Sequence, residues 1–182
     1  EWYSAPRALV SASLFSMNID NYVGLDTVRR QYFTIDSAHP TGAMQNYDVI
    51  IPVGTNAKVH GFALAWEQPF GDHFGGFANY TYANGSTDAV RANGSHEDML
   101  GTSKNTYNVG GYFENDRFNA RVAYTHRSDF FSGLDRSTAF YQAGVGNLAA
   151  SFGYKINDQF MLTLDALNLN DPKLKYYALN KD

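Results

Sequence analysis

Apolar and polar residues alternate along most of this chain, and alternation with period two predicts β-strands. The clearest stretch is Ser103–Ser128, SKNTYNVGGYFENDRFNARVAYTHRS. It predicts two long strands joined by a tight turn at Asn115-Asp116, residue types that tolerate the positive φ angles of a short hairpin turn. Facing Glu114 with Arg117 sets Phe113 against Phe118, Gly111 against Ala120, Val109 against Val122 and Tyr107 against Tyr124. These share one face. The other face carries Thr106, Asn108, Gly110 and Tyr112, with Asn119, Arg121, Ala123 and Thr125, and is small or polar.

The rest of the chain repeats this unit. Arg7–Asp20 predicts a strand of ambiguous facing, followed by a bend at Asn21–Gly24 and a continuation over Leu25–Ile35. Asp36–Tyr47 reads as a loop, marked by Pro40 and Gly42. Asp48–Val53 is a short strand expected to pair with Gln31–Ile35. Asn56–Phe70 returns with Phe62, Leu64 and Trp66 on one face. After a turn at Gly71–His73, Phe74–Ala83 places Ala78, Tyr80 and Tyr82 opposite them, with Phe70 facing Phe74. Asn84–Thr102 and Ser128–Gly144 read as long loops. Val145–Ile156 and Phe160–Asn168 form a last hairpin around Asn157–Gln159, with Ile156 facing Phe160. Lys173–Asp182 is expected to trail off without a closing strand. Short turns near Asp72, Asn115 and Asp158 recur about every 43 residues. They alternate with loops of roughly 17 to 19 residues. The result is an all-β, antiparallel up-and-down meander of about seven long strands.

Composition narrows the classes. With 182 residues the chain can form one domain. The 13 tyrosines, 13 phenylalanines and 16 glycines, against 5 prolines, favour strands and tight turns. A net charge of -4 gives no case for nucleic-acid binding. No cysteine is present, which removes disulfides, thiolate catalysis and cysteine metal sites. No apolar run is long enough for a membrane helix, but strands that cross a bilayer alternate and average as polar.

Alternation leaves open which face is covered. Three features favour a membrane barrel with the apolar face outward. Short turns and long loops are segregated to opposite ends. Phe70, Phe74, Phe113, Phe118 and Phe160 sit beside the short turns, where an interfacial aromatic girdle would lie. The strands are long enough to span a bilayer at a tilt. The alternative is a soluble, secreted β-sandwich that binds carbohydrate, with the same aromatics as its core.

Several motifs resemble the C-terminal barrel segment of TonB-dependent outer-membrane receptors. They are Tyr80-Thr81-Tyr82 entering Ala83-Asn84, the strand Asn56–Phe62, and Leu167–Asp171 followed by Tyr176-Tyr177. Ala63 stands where the family usually carries Glu. The run looks most like proteobacterial members linked to carbohydrate uptake. The resemblance implies that residues 1–182 are the C-terminal portion of a roughly 22-stranded transmembrane β-barrel, with the plug domain, TonB box and closing strand outside it. It implies a bacterial outer-membrane location and active transport of a scarce nutrient, an oligosaccharide or a siderophore. The implied partners are outer-membrane lipid, TonB acting through the plug region, and the small-molecule nutrient.

Catalytic chemistry is not legible. His39, His60, His73, His96 and His126 form no metal-binding helix motif, and no nucleophile elbow occurs. His96-Glu97-Asp98 lacks the oxygen spacing of a calcium loop. The chain is read as a non-enzyme with no cofactor and no metal. Ligand recognition is the better expectation, since aromatic faces and planar polar groups suit sugars. Candidates are Asp129, Phe130, Phe131, Asp135, Arg136, Phe140 and Tyr141 in the second long loop, with Arg121 and Arg127 on the polar face.

Overall fold

The computed structural model describes residues 2, 8–90, 96–135 and 138–179. In chain order the strands are β1 (Leu9–Thr34), β2 (Ala43–Phe70), β3 (Phe74–Val90), β4 (His96–Asp98), β5 (Asn105–Glu114), β6 (Phe118–Arg127), β7 (Phe130–Asp135), β8 (Thr138–Gln142), β9 (Val145–Lys155), β10 (Met161–Ala166) and β11 (Tyr176–Leu179). Strands β1, β2, β3, β5, β6, β9 and β10 lie side by side in that order, each antiparallel to the next. Strand β4 folds back on the far end of β3. A second sheet has the order β11-β8-β7.

Two predicted registers hold. Phe70 faces Phe74, Trp66 faces Ala78, Leu64 faces Tyr80 and Phe62 faces Tyr82. Leu162 faces Tyr154 and Leu164 faces Phe152, with the Ile156 N–H donating to Phe160 O at 3.0 Å as that hairpin requires. The faces of β5 and β6 also hold, but their register differs. Glu114 pairs with Asn119, Phe113 with Ala120, Val109 with Tyr124 and Tyr107 with His126. This is a slip of two residues, which keeps every side chain on its predicted face. The cause is the turn. Asn115 Oδ1 accepts from both Arg117 N and Phe118 N, Asn115 N donates to Phe118 O, and the loop occupies four residues.

Elsewhere strands replace predicted loops. The bend at Asn21–Gly24 is a β-bulge inside β1, between Ile19 and Tyr22, with Asn21 at φ 56°. One extra residue there flips the parity of β1 beyond the bulge relative to the stretch before it. Below the bulge Val10, Ala12 and Leu14 pair with Trp66, Leu64 and Phe62 on the apolar face. Asp48–Val53 pairs with Gly24–Arg29, not with Gln31–Ile35, because β2 begins early, at Ala43. Asp36 sets that turn. Its Oδ1 accepts from Ala38 N and His39 N and its Oδ2 from Gln45 Nε2. These bonds, the His39 amide first, hold its carboxyl below the usual range. The first long loop becomes the end of β3 plus β4, the second becomes the β7–β8 hairpin, and the tail supplies β11.

The two faces of the main sheet differ in kind. On one face Leu64, Val109, Val122, Phe152 and Leu164 are all exposed, Val122 at 51% and Leu164 at 66%. On the other, Ala57 and Phe77 are buried. Phe77 lies opposite Gly110, where a Cβ would run into its ring, and the Arg121 guanidinium carbon sits 4.3 Å over it. Glycine at 110 lets the ring lie flat on the sheet. The chain exposes 12350 Å², where a compact monomer of 20.3 kDa would expose about 8,800 Å². Among the described residues nothing covers the apolar face.

Candidate functional site

At the end away from the short turns, four segments are tied together by side chains. Arg127 closes β6 and reaches sideways. Its Nε donates to Ser103 Oγ at 3.0 Å, its Nη2 donates to Gly101 O at 2.9 Å, and its Cζ lies 4.0 Å over the ring of Phe130. The Gly101 N–H donates to Phe131 O at 2.9 Å. One cation thereby anchors the β4–β5 connection to the start of β7. Leu100 N in turn donates to the Tyr22 hydroxyl at 3.1 Å, which brings β1 into the assembly.

An aromatic core lies behind these bonds. Phe131 is 2% and Tyr141 5% exposed, with ring centroids 5.8 Å apart. Tyr141 stacks on Tyr177 at 5.7 Å and 17°. Each of these tyrosines donates its hydroxyl to a carboxylate: Tyr141 to Asp98 Oδ2 at 2.8 Å and Tyr177 to Asp129 Oδ2 at 2.7 Å. The bond to Asp129 and partial burial push the Tyr177 phenol up to about 12. Phenol donors on ionised acceptors are among the stronger neutral–charged hydrogen bonds. They join β11 and β4 to the β7–β8 hairpin.

The structure thus brings together Arg127, Asp129, Phe130, Phe131 and Tyr141. Phe140 is half-buried on β8, opposite Gly133 and Ala178. Asp135, at the tip of β7, is exposed and turns to a different hollow, shared with β1 and β2. Arg121 stands apart, well down β6 on the polar face. There it pairs with Tyr112 and Ser151 beside a cavity of about 180 Å³ that Glu67, Asn79 and Tyr112 also line. Arg136 lies outside the described residues. Ser103 and Tyr22 were not named as site residues from the sequence, Asp98 was weighed only with His96 and Glu97 as a cation site, and Tyr177 was named only in the Tyr176-Tyr177 motif. Tyr177 carried the one available signal, as part of an aromatic pair after a proline-terminated strand. Among the described residues no group of three or more histidine or acidic side chains is placed to hold a metal ion.

The family model described as "TonB dependent receptor-like, beta-barrel" matches residues 1–169. The chain belongs to this family. Comparison with curated proteins and with solved structures found no significant match. The family links the receptor-like barrel to TonB-dependent transport machinery, and the chain is not an enzyme. The matched span includes the whole main sheet and the β7–β8 hairpin, while β11 lies beyond it.

Proposed function

We propose that this receptor-like barrel segment forms part of the wall of an outer-membrane active transporter, taking up an oligosaccharide or a siderophore with energy supplied through TonB. The observation that carries the reading is the uncovered apolar face. A row of large side chains from β2 to β10 points away from the polar face and is left exposed by the described residues. In water such a face is a liability. Against lipid it is the required surface. The outward stretch Phe62–Phe70 of β2 has the length that spans a tilted bilayer crossing, about 9–11 residues. Phe74 and Phe113, with centroids 4.9 Å apart, and the stacked Phe118 and Tyr154 sit beside the short turns, where an aromatic girdle belongs.

In this reading the polar face lines the lumen, and the tied loops form the outer mouth. Arg127, Asp129, Phe130, Asp135 and Phe140 meet nutrient there, Phe131 and Tyr141 support them, and Arg121 lines the path below. A sandwich would need a second sheet over Leu64, Val122 and Phe152. The three-stranded sheet leaves all of them exposed.

The test places a spin label at Phe152 and at Leu164, which face each other across β9 and β10. Faster relaxation by dissolved oxygen than by a water-soluble nickel chelate at both sites is the expected result. Shielding from both quenchers would mean a protein core and would sink the membrane reading.

A further inference from the structure

On the outward face of the main sheet the apolar rows stop beyond Phe62. Directly paired residues of neighbouring strands share a face, so each row can be followed across β1, β2 and β3. Leu14, Phe62 and Tyr82 form the last apolar row, and Leu14 is 88% exposed. The next row is Ser16, His60 and Asn84, and the one after it is Asn18, Lys58 and Ser86. All six side chains can donate hydrogen bonds. Lys58 and His60 are exposed, and among the described residues neither has an ion-pair or hydrogen-bond partner. Ten residues separate His60 from Phe70 at the short turn. That is about 33 Å along the strand, or about 25 Å along the bilayer normal at a tilt of about 40°, the height of the apolar band of an outer-membrane barrel. The two polar rows fall where acyl chains give way to headgroups.

We propose that these two rows dock the phosphate headgroup of an anionic lipid whose acyl chains lie on the apolar rows below. The proposal rests on the membrane-wall reading and adds a headgroup site to it. Lys58 and His60 are two residues apart on one face, about 7 Å, so one phosphate can sit between them. The ammonium supplies charge-assisted hydrogen bonds, and the hydroxyls and amides of the flanking strands supply further donors to the remaining oxygens. The long Lys58 stem can lie along the sheet toward the headgroup level. Three acids border the site. Asp20 lies in the bulge of β1, Asp88 lies beyond Ser86 on β3, and Asp98 pairs with Ser86. Asp98 is two strand spacings from Lys58, about 10 Å, and its Oδ2 accepts from the Tyr141 hydroxyl. An anion arriving from solvent meets these carboxylates first. A phosphate carried on acyl chains arrives from the side of Leu14 and Phe62, where no carboxylate stands in its way. This asymmetry favours a lipid over a soluble phosphate.

The test reconstitutes the protein in phosphatidylcholine vesicles and compares the motionally restricted fractions of spin-labelled phosphatidic acid and spin-labelled phosphatidylcholine. Phosphatidic acid is expected to be restricted in preference. Lys58→Gln combined with His60→Gln should reduce that preference about fivefold or more. Lys155→Gln removes a cation at the turn end, where Lys155 pairs with Asp158 at 2.7 Å, and should leave the preference intact. Equal restriction of the two lipids would overturn the proposal, as would an unchanged preference in the double variant or an equal loss in Lys155→Gln. Displacement of the labelled lipid by inorganic phosphate would also overturn it, because that marks a site for soluble anions. The quencher measurement at Phe152 and Leu164 separates this proposal from the reading beneath it. Lipid access there without a preference for phosphatidic acid removes the headgroup site alone. Shielding from both quenchers removes the wall reading, and the headgroup site with it.

Discussion

The wall and the mouth of this molecule use the same residue types in opposite ways. In the wall, Leu64, Val122, Phe152 and Leu164 stand exposed, while glycine, alanine and polar groups fill the other face. At the mouth, Phe131 and Tyr141 are buried and the polar groups of Asp98, Asp129 and Arg127 tie the aromatic cluster together. Hydrophobicity is therefore a poor guide to burial here. On the transporter reading proposed above, what decides is the medium each part faces. The mouth folds by ordinary burial from water. The wall keeps its backbone bonded within the sheet and leaves its apolar surface outward, which is stable only where that surface has an apolar neighbour.

The largest effect should come from breaking the mouth at its core. Phe131→Ala removes a nearly fully buried ring, a change that costs about 3–5 kcal/mol at well-packed sites. Amide exchange should speed up across β7, β8 and β11 while β5 and β6 stay protected. Loss of protection throughout the main sheet would show that wall and mouth are not separate units. Next in size is a charge on the wall. Val122→Arg, near the middle of β6, should destabilise the protein in lipid vesicles by about 2–4 kcal/mol, read by urea unfolding. At an exposed site in water the same change would stay within about 0.5 kcal/mol, and that smaller result would place Val122 against solvent.

The wall was far more legible in the sequence than the mouth. Strand faces follow from parity, and parity survives a register error of two. That is why the faces of β5 and β6 were right although Glu114 pairs with Asn119. Two turns show where the reading stops. Asn115-Asp116-Arg117-Phe118 and Asn157-Asp158-Gln159-Phe160 share a pattern, and in both the Asn side chain accepts two backbone amides. Yet Ile156 N donates to Phe160 O, whereas Glu114 N donates to His73 O at 2.7 Å, in the neighbouring turn. A contact 41 residues away also meets Glu114 at this turn, and no local pattern carries it. The mouth depends on such distant contacts throughout. Tyr177 to Asp129 and Tyr141 to Asp98 join residues on different strands, and nothing in period-two alternation marks a tyrosine as a donor to a particular carboxylate.

A smaller effect tests the shared turn. Asn115→Ala leaves the Arg117 and Phe118 amides without their acceptor and should cost about 1 kcal/mol. Urea unfolding should show that loss in Asn115→Ala, with ring NMR signals of Phe113 and Phe118 shifting as the turn relaxes. Unchanged stability would mean that the His73–Glu114 contact alone fixes the turn. The wall would then be held by its neighbours more than by its own hairpins.

The smallest effect concerns pH and the mouth alone. The Tyr177 phenol is held up to about 12 from an ordinary value near 10, first by its bond to Asp129. A group whose folded pKa is raised stabilises the fold fully below its unfolded value. That contribution shrinks once pH exceeds about 10 and is gone as pH passes about 12. The Tyr177–Asp129 tie should therefore be intact at neutral pH and release only in strong base. Carbon NMR of labelled tyrosine should show Tyr177 titrating near 12, and Asp129→Asn should bring it back toward 10. In that variant β11 should exchange its amides faster while β9 and β10 do not change. Equal acceleration in all three strands would mean that the phenol–carboxylate bond supports the wall as well as the mouth, and the division between them would fail.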